Sequence, residues 1–279
     1  MVARISAVAL LALSCGAWAA NPRDPDASDL WWSAAESGWG VNIIHQSNVL
    51  FMTFFVYGAD GRARWYVASD TRCSGAPRDM EQVCTGPLYE TSGPVVSNAF
   101  DPAAVQRRLV GDVTFLYRRP YGGTINYRID GVGVGRFVRR QTWALADLSG
   151  EYYLMRVAGA NNRPAVGCPA VPTTFRDLGR VLVEHSGSTV RLATEPGPWP
   201  RCEYSGSYTQ EGRMGRITGT FTCTGIDDGT SSNGAEAGTF TLDEVEVSPR
   251  GLMARYSARN SSSGCSVFGN FSGARATVD

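Results

Sequence analysis

Thr124-Ile125-Asn126-Tyr127-Arg128-Ile129-Asp130-Gly131 reads as one strand and the turn that ends it. Ile125, Tyr127 and Ile129 fall on one face, and Asn126, Arg128 and Asp130 on the other. Alternation with a period of two marks a half-buried β-strand. The pattern resumes from Gly131 toward Trp143. Asp-Gly between two alternating runs is a strong hairpin signal, because both residues accept the positive φ that a tight two-residue turn needs.

The same grammar extends in both directions. In Gly40 to Gln46, Val41, Ile43 and His45 share a face. Leu50 to Tyr57 is apolar on both faces, which predicts the most buried strand. Arg64 to Ser69 is expected to turn Trp65 and Val67 inward, and Ala59-Asp60-Gly61 joins these two runs. A short helix is expected near Asp101 to Arg108, behind an Asp-Pro start. Ala146 to Gly150 looks like a boundary. Beyond it come Val181–His185 with Thr189–Leu192, Tyr204–Gln210 with Arg216–Cys223, Phe240–Val247 with Leu252–Ser257, and finally Cys265–Phe271. Sequential hairpins make a meander. A meander of this many strands tends to close, because closure removes exposed edges.

The expected fold is therefore all-β, with two antiparallel meander β-barrel-like domains over residues 30–147 and 148–279. One large β-sandwich is the alternative. No tandem repeat stands out; the two halves share a style rather than a motif.

Residues 1–19 read as a signal peptide: Arg4, an apolar run from Ile5 to Leu13, then Ala17-Trp18-Ala19 for cleavage. The run is about half of the ~20 residues that cross a bilayer. Lipidation at Cys15 is a minor alternative. Residues 20–29 are a polar, disordered lead-in. An exported protein, periplasmic or secreted, is expected to form disulfides. Six cysteines follow the signal peptide. The register of the Gly212-Arg213 hairpin sets Cys202 opposite Cys223. Four cysteines in the second half allow three pairings; this one leaves Cys168 with Cys265, while Cys73 and Cys84 would close a loop in the first half. With no C-x-x-C pair and only two histidines, neither a metal site nor a cofactor is expected.

The net charge is zero, and every basic residue is arginine. Zero net charge supplies no global attraction to nucleic acid, and export argues against it as well. Locally, residues 106–143 hold eight arginines against two acids, a charge of +6, whereas 20–105 carry −5. Either the two stretches neutralise one another, or the arginines form a face for an anionic envelope glycolipid or acidic glycan.

Leu30-Trp31-Trp32-Ser33-Ala34-Ala35-Glu36-Ser37-Gly38-Trp39-Gly40 is the most distinctive stretch. With Phe55-Val56-Tyr57-Gly58-Ala59-Asp60-Gly61-Arg62 and Trp65-Tyr66-Val67, it resembles a family of exported bacterial proteins marked by a double Trp and Glu-Ser-Gly-Trp-Gly. The resemblance implies an envelope or secreted protein and carries over no catalytic residue.

Three readings of function follow. The preferred one is a non-enzymatic module binding a small apolar ligand, a glycan or an envelope partner through Trp31, Trp32, Glu36, Trp39, His45 and Trp65, since aromatic faces stack on sugars or line apolar pockets. Filling a barrel core is the competing role for the same aromatics. The second reading is a hydrolase with Ser37 as nucleophile and His45 as base, although the Gly-x-Ser-x-Gly elbow is missing. The third is a purely structural envelope interaction protein. His45 and His185 on apolar strand faces are expected to be buried and neutral, each with one hydrogen bond.

Overall fold

The computed structural model describes residues 26–74, 81–95, 97, 99–118, 121–160, 175–195, 201–226 and 234–276. The expected signal peptide, Cys15, residues 20–25 and Cys168 lie outside them.

Two closed eight-stranded barrels make up the fold. The first comprises β1 (Asp29–Trp32), β2 (Gly40–Gln46), β3 (Val49–Tyr57), β4 (Ala63–Ser74), β5 (Glu81–Ser92), β6 (Gln106–Arg118), β7 (Gly122–Ile129) and β8 (Val132–Arg140). The second comprises β9 (Gly150–Ala160), β10 (Phe175–Ser186), β11 (Thr189–Thr194), β12 (Arg201–Glu211), β13 (Met214–Ile226), β14 (Gly234–Ser248), β15 (Gly251–Asn260) and β16 (Ser266–Arg275). Within each barrel, strands that follow one another in the chain pair antiparallel. β1 closes on β8 and β9 on β16, so neither barrel keeps an edge on which another chain could polymerise.

Near Asp101 the chain departs from expectation. Only Pro102–Ala104 coils, as one 3-10 turn capped by the Asp101 carboxylate, and β6 starts at Gln106. Arg107 and Arg108 therefore belong to a strand. Their counterparts in β5 are Thr91 and Glu90, and the ladder outweighs local helix propensity.

Buried aromatic side chains stand in the core of both barrels. In the first, Trp31, Phe54, Phe115 and Tyr117 are buried. The Trp31 indole meets Phe115 edge-on at 5.1 Å, and Phe115 stacks on Tyr117 at the same centroid distance. Eight strands leave room for side chains or for one small ligand; here aromatic rings stand in it. Tyr204, Phe221 and Phe240 play the same part in the second barrel.

Two disulfides join directly opposed residues of neighbouring strands, Cys73 with Cys84 across β4–β5 and Cys202 with Cys223 across β12–β13. The second is the pairing that hairpin register predicts. Cys265 is also disulfide-bonded; its expected partner, Cys168, lies outside the described residues.

The barrels repeat at the level of residues, contrary to the sequence reading. Asp26-Ala27-Ser28-Asp29-Leu30-Trp31-Trp32 and Asp147-Leu148-Ser149-Gly150-Glu151-Tyr152-Tyr153 are the same phrase, Asp-x-Ser-x-x followed by two aromatics. In each, the serine hydroxyl accepts the N–H of a histidine near the end of the next strand, His45 at 2.9 Å and His185 at 3.2 Å. Each histidine's Nδ1 accepts a backbone N–H in return, from Ala27 at 3.2 Å and Leu148 at 3.3 Å. The first aromatic reaches back four residues to a carbonyl, Trp31 to Ala27 and Tyr152 to Leu148, both at 2.8 Å. An arginine of the last strand lies opposite that aromatic, Arg140 opposite Trp31 and Arg275 opposite Tyr152. Equivalent parts in equivalent register make the seam of the second barrel a repeat of the seam of the first.

Candidate functional site

The outer face of β2–β4 is the most unusual surface. Alternation along β3 sends Leu50, Met52, Phe54 and Val56 into the core and Phe51, Phe55 and Tyr57 outward. The strand is apolar on both faces because one face is surface, not because both are buried. On β4 the phase is opposite to that expected: Tyr66 and Ala68 turn inward, and Trp65 points out. Phe55 lies directly across from Trp65, with 51% and 54% of their surfaces exposed. Ile44 faces Phe51 at one end of the patch, and Tyr57 is exposed at the other. Between them, Asn42 pairs with Thr53 and Thr53 with Val67, so polar groups sit among the rings. The apolar track continues over Tyr89, where Arg107 stacks at 4.8 Å, to exposed Leu109.

Neighbouring strands lie about 4.8 Å apart, and Phe55 and Trp65 stand on adjacent strands with both side chains on the outer face. Gly40 is the β2 residue opposite Phe55, so no side chain crowds that ring from the other side.

Of the residues singled out in the sequence, only Trp65 belongs to this face. Trp31 is core. Trp32 is half-buried on β1, opposite Arg139. Trp39 packs half-buried against the core at the far mouth of the barrel. Glu36 spans that mouth to Arg136 at 2.5 Å. The Ser33–Trp39 loop is further held by the Tyr57 hydroxyl, which donates to the Gly38 carbonyl at 3.0 Å. Gly38 has φ of +122°, a conformation that only glycine adopts readily. The Glu-Ser-Gly-Trp-Gly block is thus held across that mouth by the Glu36–Arg136 ion pair and by the Tyr57 hydroxyl on the Gly38 carbonyl. Beneath it, burial raises the pKa of Tyr127.

Ser37 sits in this loop before β2, whereas His45 is at the other end of the strand. Six residues of extended chain separate Gly40 from Gln46, about 20 Å, so the two cannot form a nucleophile–base pair. His45 instead belongs to the opening motif, with Asp26 at 3.8 Å from its Nδ1. His185 has Asp147 at 3.7 Å. The His185 Nε2 lies 2.9 Å from the Gly187 carbonyl oxygen.

Five arginines of the arginine-rich stretch, Arg108, Arg128, Arg136, Arg139 and Arg140, have carboxylate partners among the described residues. Arg108 is held by Glu90 at 2.7 Å and Asp130 at 2.6 Å. Hydrogen bonds from Arg108 keep the Asp130 carboxyl below its usual range. Arg136 pairs with Glu36, Arg139 with Glu211, Arg140 with Asp29 and, more loosely, Arg128 with Asp112. No uninterrupted cationic face forms from these side chains.

At the end opposite the Ser33–Trp39 loop, the second barrel contacts the first. The β12–β13 turn brings Arg213 N–H to Asp29 at 3.0 Å and Gly212 N–H to the Thr142 hydroxyl at 2.8 Å. The Arg213 guanidinium bonds Asp26 and also Glu246. A side chain at Gly212 would put Cβ 2.1 Å from an Asp29 carboxylate oxygen, and the residue's φ is +60°; both facts require glycine. Tyr121 donates to the Gly215 carbonyl at 3.1 Å, with Arg216 stacked 5.3 Å over its ring.

Among the described residues no group of three or more His, Cys, Asp or Glu could hold a metal ion, and no helix is long and apolar enough to cross a membrane. No family model, curated protein or solved structure matches the chain.

Proposed function

We propose that the protein is an exported, non-enzymatic β-barrel module that binds a glycan chain on the aromatic outer face of its first barrel. The observation that carries this reading is the pair Phe55 and Trp65, opposed on adjacent strands and each about half exposed. Ring faces take up the apolar face of a sugar, and Asn42 and Thr53 supply hydrogen-bonding groups beside them.

Magnitudes favour a glycan over a protein partner. An aromatic side chain carries roughly 150–250 Å² of surface. With about half of it open on Phe51, Phe55, Tyr57 and Trp65, the patch offers on the order of 400 Å², the range typical of functional surface patches. A stable protein interface needs about 800 Å² per partner. Stacking on sugar rings works within the smaller area.

The test is binding of the mature protein to a glycan array and to insoluble peptidoglycan, chitin and cellulose. Trp65→Ala is expected to weaken binding about tenfold, the loss of one good aromatic contact, and Trp65→Ala with Phe55→Ala to abolish it. Equal binding by the wild type and the double variant would overturn the assignment, as would a failure of the wild type to bind any of these glycans.

A further inference from the structure

A second surface, on the second barrel, has a different chemistry. At the ends of β15 and β16 an open cleft of about 430 Å³ lies on the outer face. Its floor is Gly251, Ser272 and Ala274, and its walls are Tyr153 and Met253, which are 57% and 58% exposed. The register explains the depression: Gly251 and Ala274 are opposed between the β14 edge and Tyr153, and Met253 is opposed to Ser272. Large side chains flank small ones, and the volume falls in the range of small-molecule sites.

Charge at the rim is unequal. Glu246 lines the cleft but is committed to Arg213 at 2.9 Å. Arg180, which stacks over Tyr153 at 5.9 Å, is committed to Glu151 and Glu195. Arg250 also lines the cleft, and among the described residues it has no carboxylate partner. An apolar trough ending at one uncommitted guanidinium complements a molecule with an apolar body and one anionic end.

We infer that this cleft binds a single-chain amphiphilic anion, an acyl or aryl group ending in a carboxylate or phosphate. The apolar body lies between Tyr153 and Met253, and the anion reaches Arg250. The site is independent of the aromatic face, being on the other barrel.

Calorimetric titration of the whole mature protein with decanoate, below its micellar range, tests this. One-to-one saturable binding is expected, with amide shifts at Gly251 and Gly273, and acetate and inorganic phosphate alone should not bind. Decyl phosphate in place of decanoate tells which anionic end is preferred; binding by either supports the site. Arg250→Gln should weaken binding about tenfold, the loss of a charge-assisted hydrogen bond. Ser272→Leu should block the cleft, while Trp65→Ala should leave it unchanged. The inference falls if neither anion saturates, if decyltrimethylammonium binds as well as decanoate, or if Arg250→Gln and Ser272→Leu both bind normally while melting like the wild type.

Discussion

Arg140 stands directly opposite Trp31 across the seam of the first barrel, its guanidinium 4.7 Å from the centre of the indole ring. The same group donates to the Ser28 carbonyl at 3.1 Å and to Asp29 at 3.2 Å. It is almost fully buried, and burial lowers its pKa against the opposing pull of Asp29. Replacing Arg140 by Met keeps much of the packing volume but leaves Asp29 without its buried partner. A loss of about 3–5 kcal/mol is expected, as for other broken buried pairs. Denaturant unfolding measures it; a loss below about 1 kcal/mol would contradict this account of the seam.

Gly212 joins the barrels where no side chain fits. Gly212→Ala sets a methyl group against Asp29 and strains a left-handed backbone, at a cost of about 1–3 kcal/mol. The penalty should fall on the contact between barrels rather than on either core. Calorimetry should separate one transition into two, and scattering should report a larger radius. A single unchanged transition would mean that the turn contributes nothing to docking.

The opening motifs make stability depend on pH. A backbone hydrogen bond from Ser149 leads in holding the Asp147 carboxyl below its usual range, followed by the Ser149 hydroxyl, with His185 and Arg275 adding to it. For Asp26, burial acts upward, but the Ser28 hydroxyl and N–H, Arg213 and His45 outweigh it, and the result is again a lowered value. A carboxyl with a depressed folded pKa contributes stability that is complete above its unfolded pKa of about 3.9 and is lost as pH falls through the folded value. Asp147→Asn should therefore melt below the wild type at pH 7, with the gap shrinking below about pH 4. A gap that persists unchanged at about pH 2 would refute the assignment.

The disulfides differ in reach. Cys202–Cys223 spans 21 residues and Cys73–Cys84 only 11. Chain entropy gives each roughly 3 kcal/mol, with about 0.6 kcal/mol more for the longer loop. Paired Cys→Ser variants, compared by denaturation, should show that order and roughly that size.

Much of this architecture is legible in period-two alternation. Asp130-Gly131 and Gly212-Arg213 mark their hairpins, and counting outward from the second sets Cys202 opposite Cys223. Other features escape the pattern. β5 contains Gly86 and Pro87, and β6 opens on Gln106 and two arginines, so neither looks like a strand in isolation; each is held by its neighbour. β3 reads as buried because hydropathy does not distinguish a core from an exposed apolar face. For the same reason alternation alone does not tell whether Trp65 or Tyr66 faces the core, and the candidate site turns on that choice. The repeat is hidden because its partners are mainly backbone groups, which no residue type betrays, and because Trp in one copy is Tyr in the other.

One detail of the seams bears on how such a chain can be assembled. Gln141, just past the first barrel, donates to the Leu30 carbonyl at 2.8 Å, and Ala276, just past the second, donates to Glu151 at 2.8 Å. In each barrel the entering and leaving strands run hydrogen-bonded side by side. Either barrel can therefore be spliced into a loop of another protein without stretching its host, or be reconnected through its seam and opened at a hairpin such as Gly187-Ser188, with every strand pair preserved.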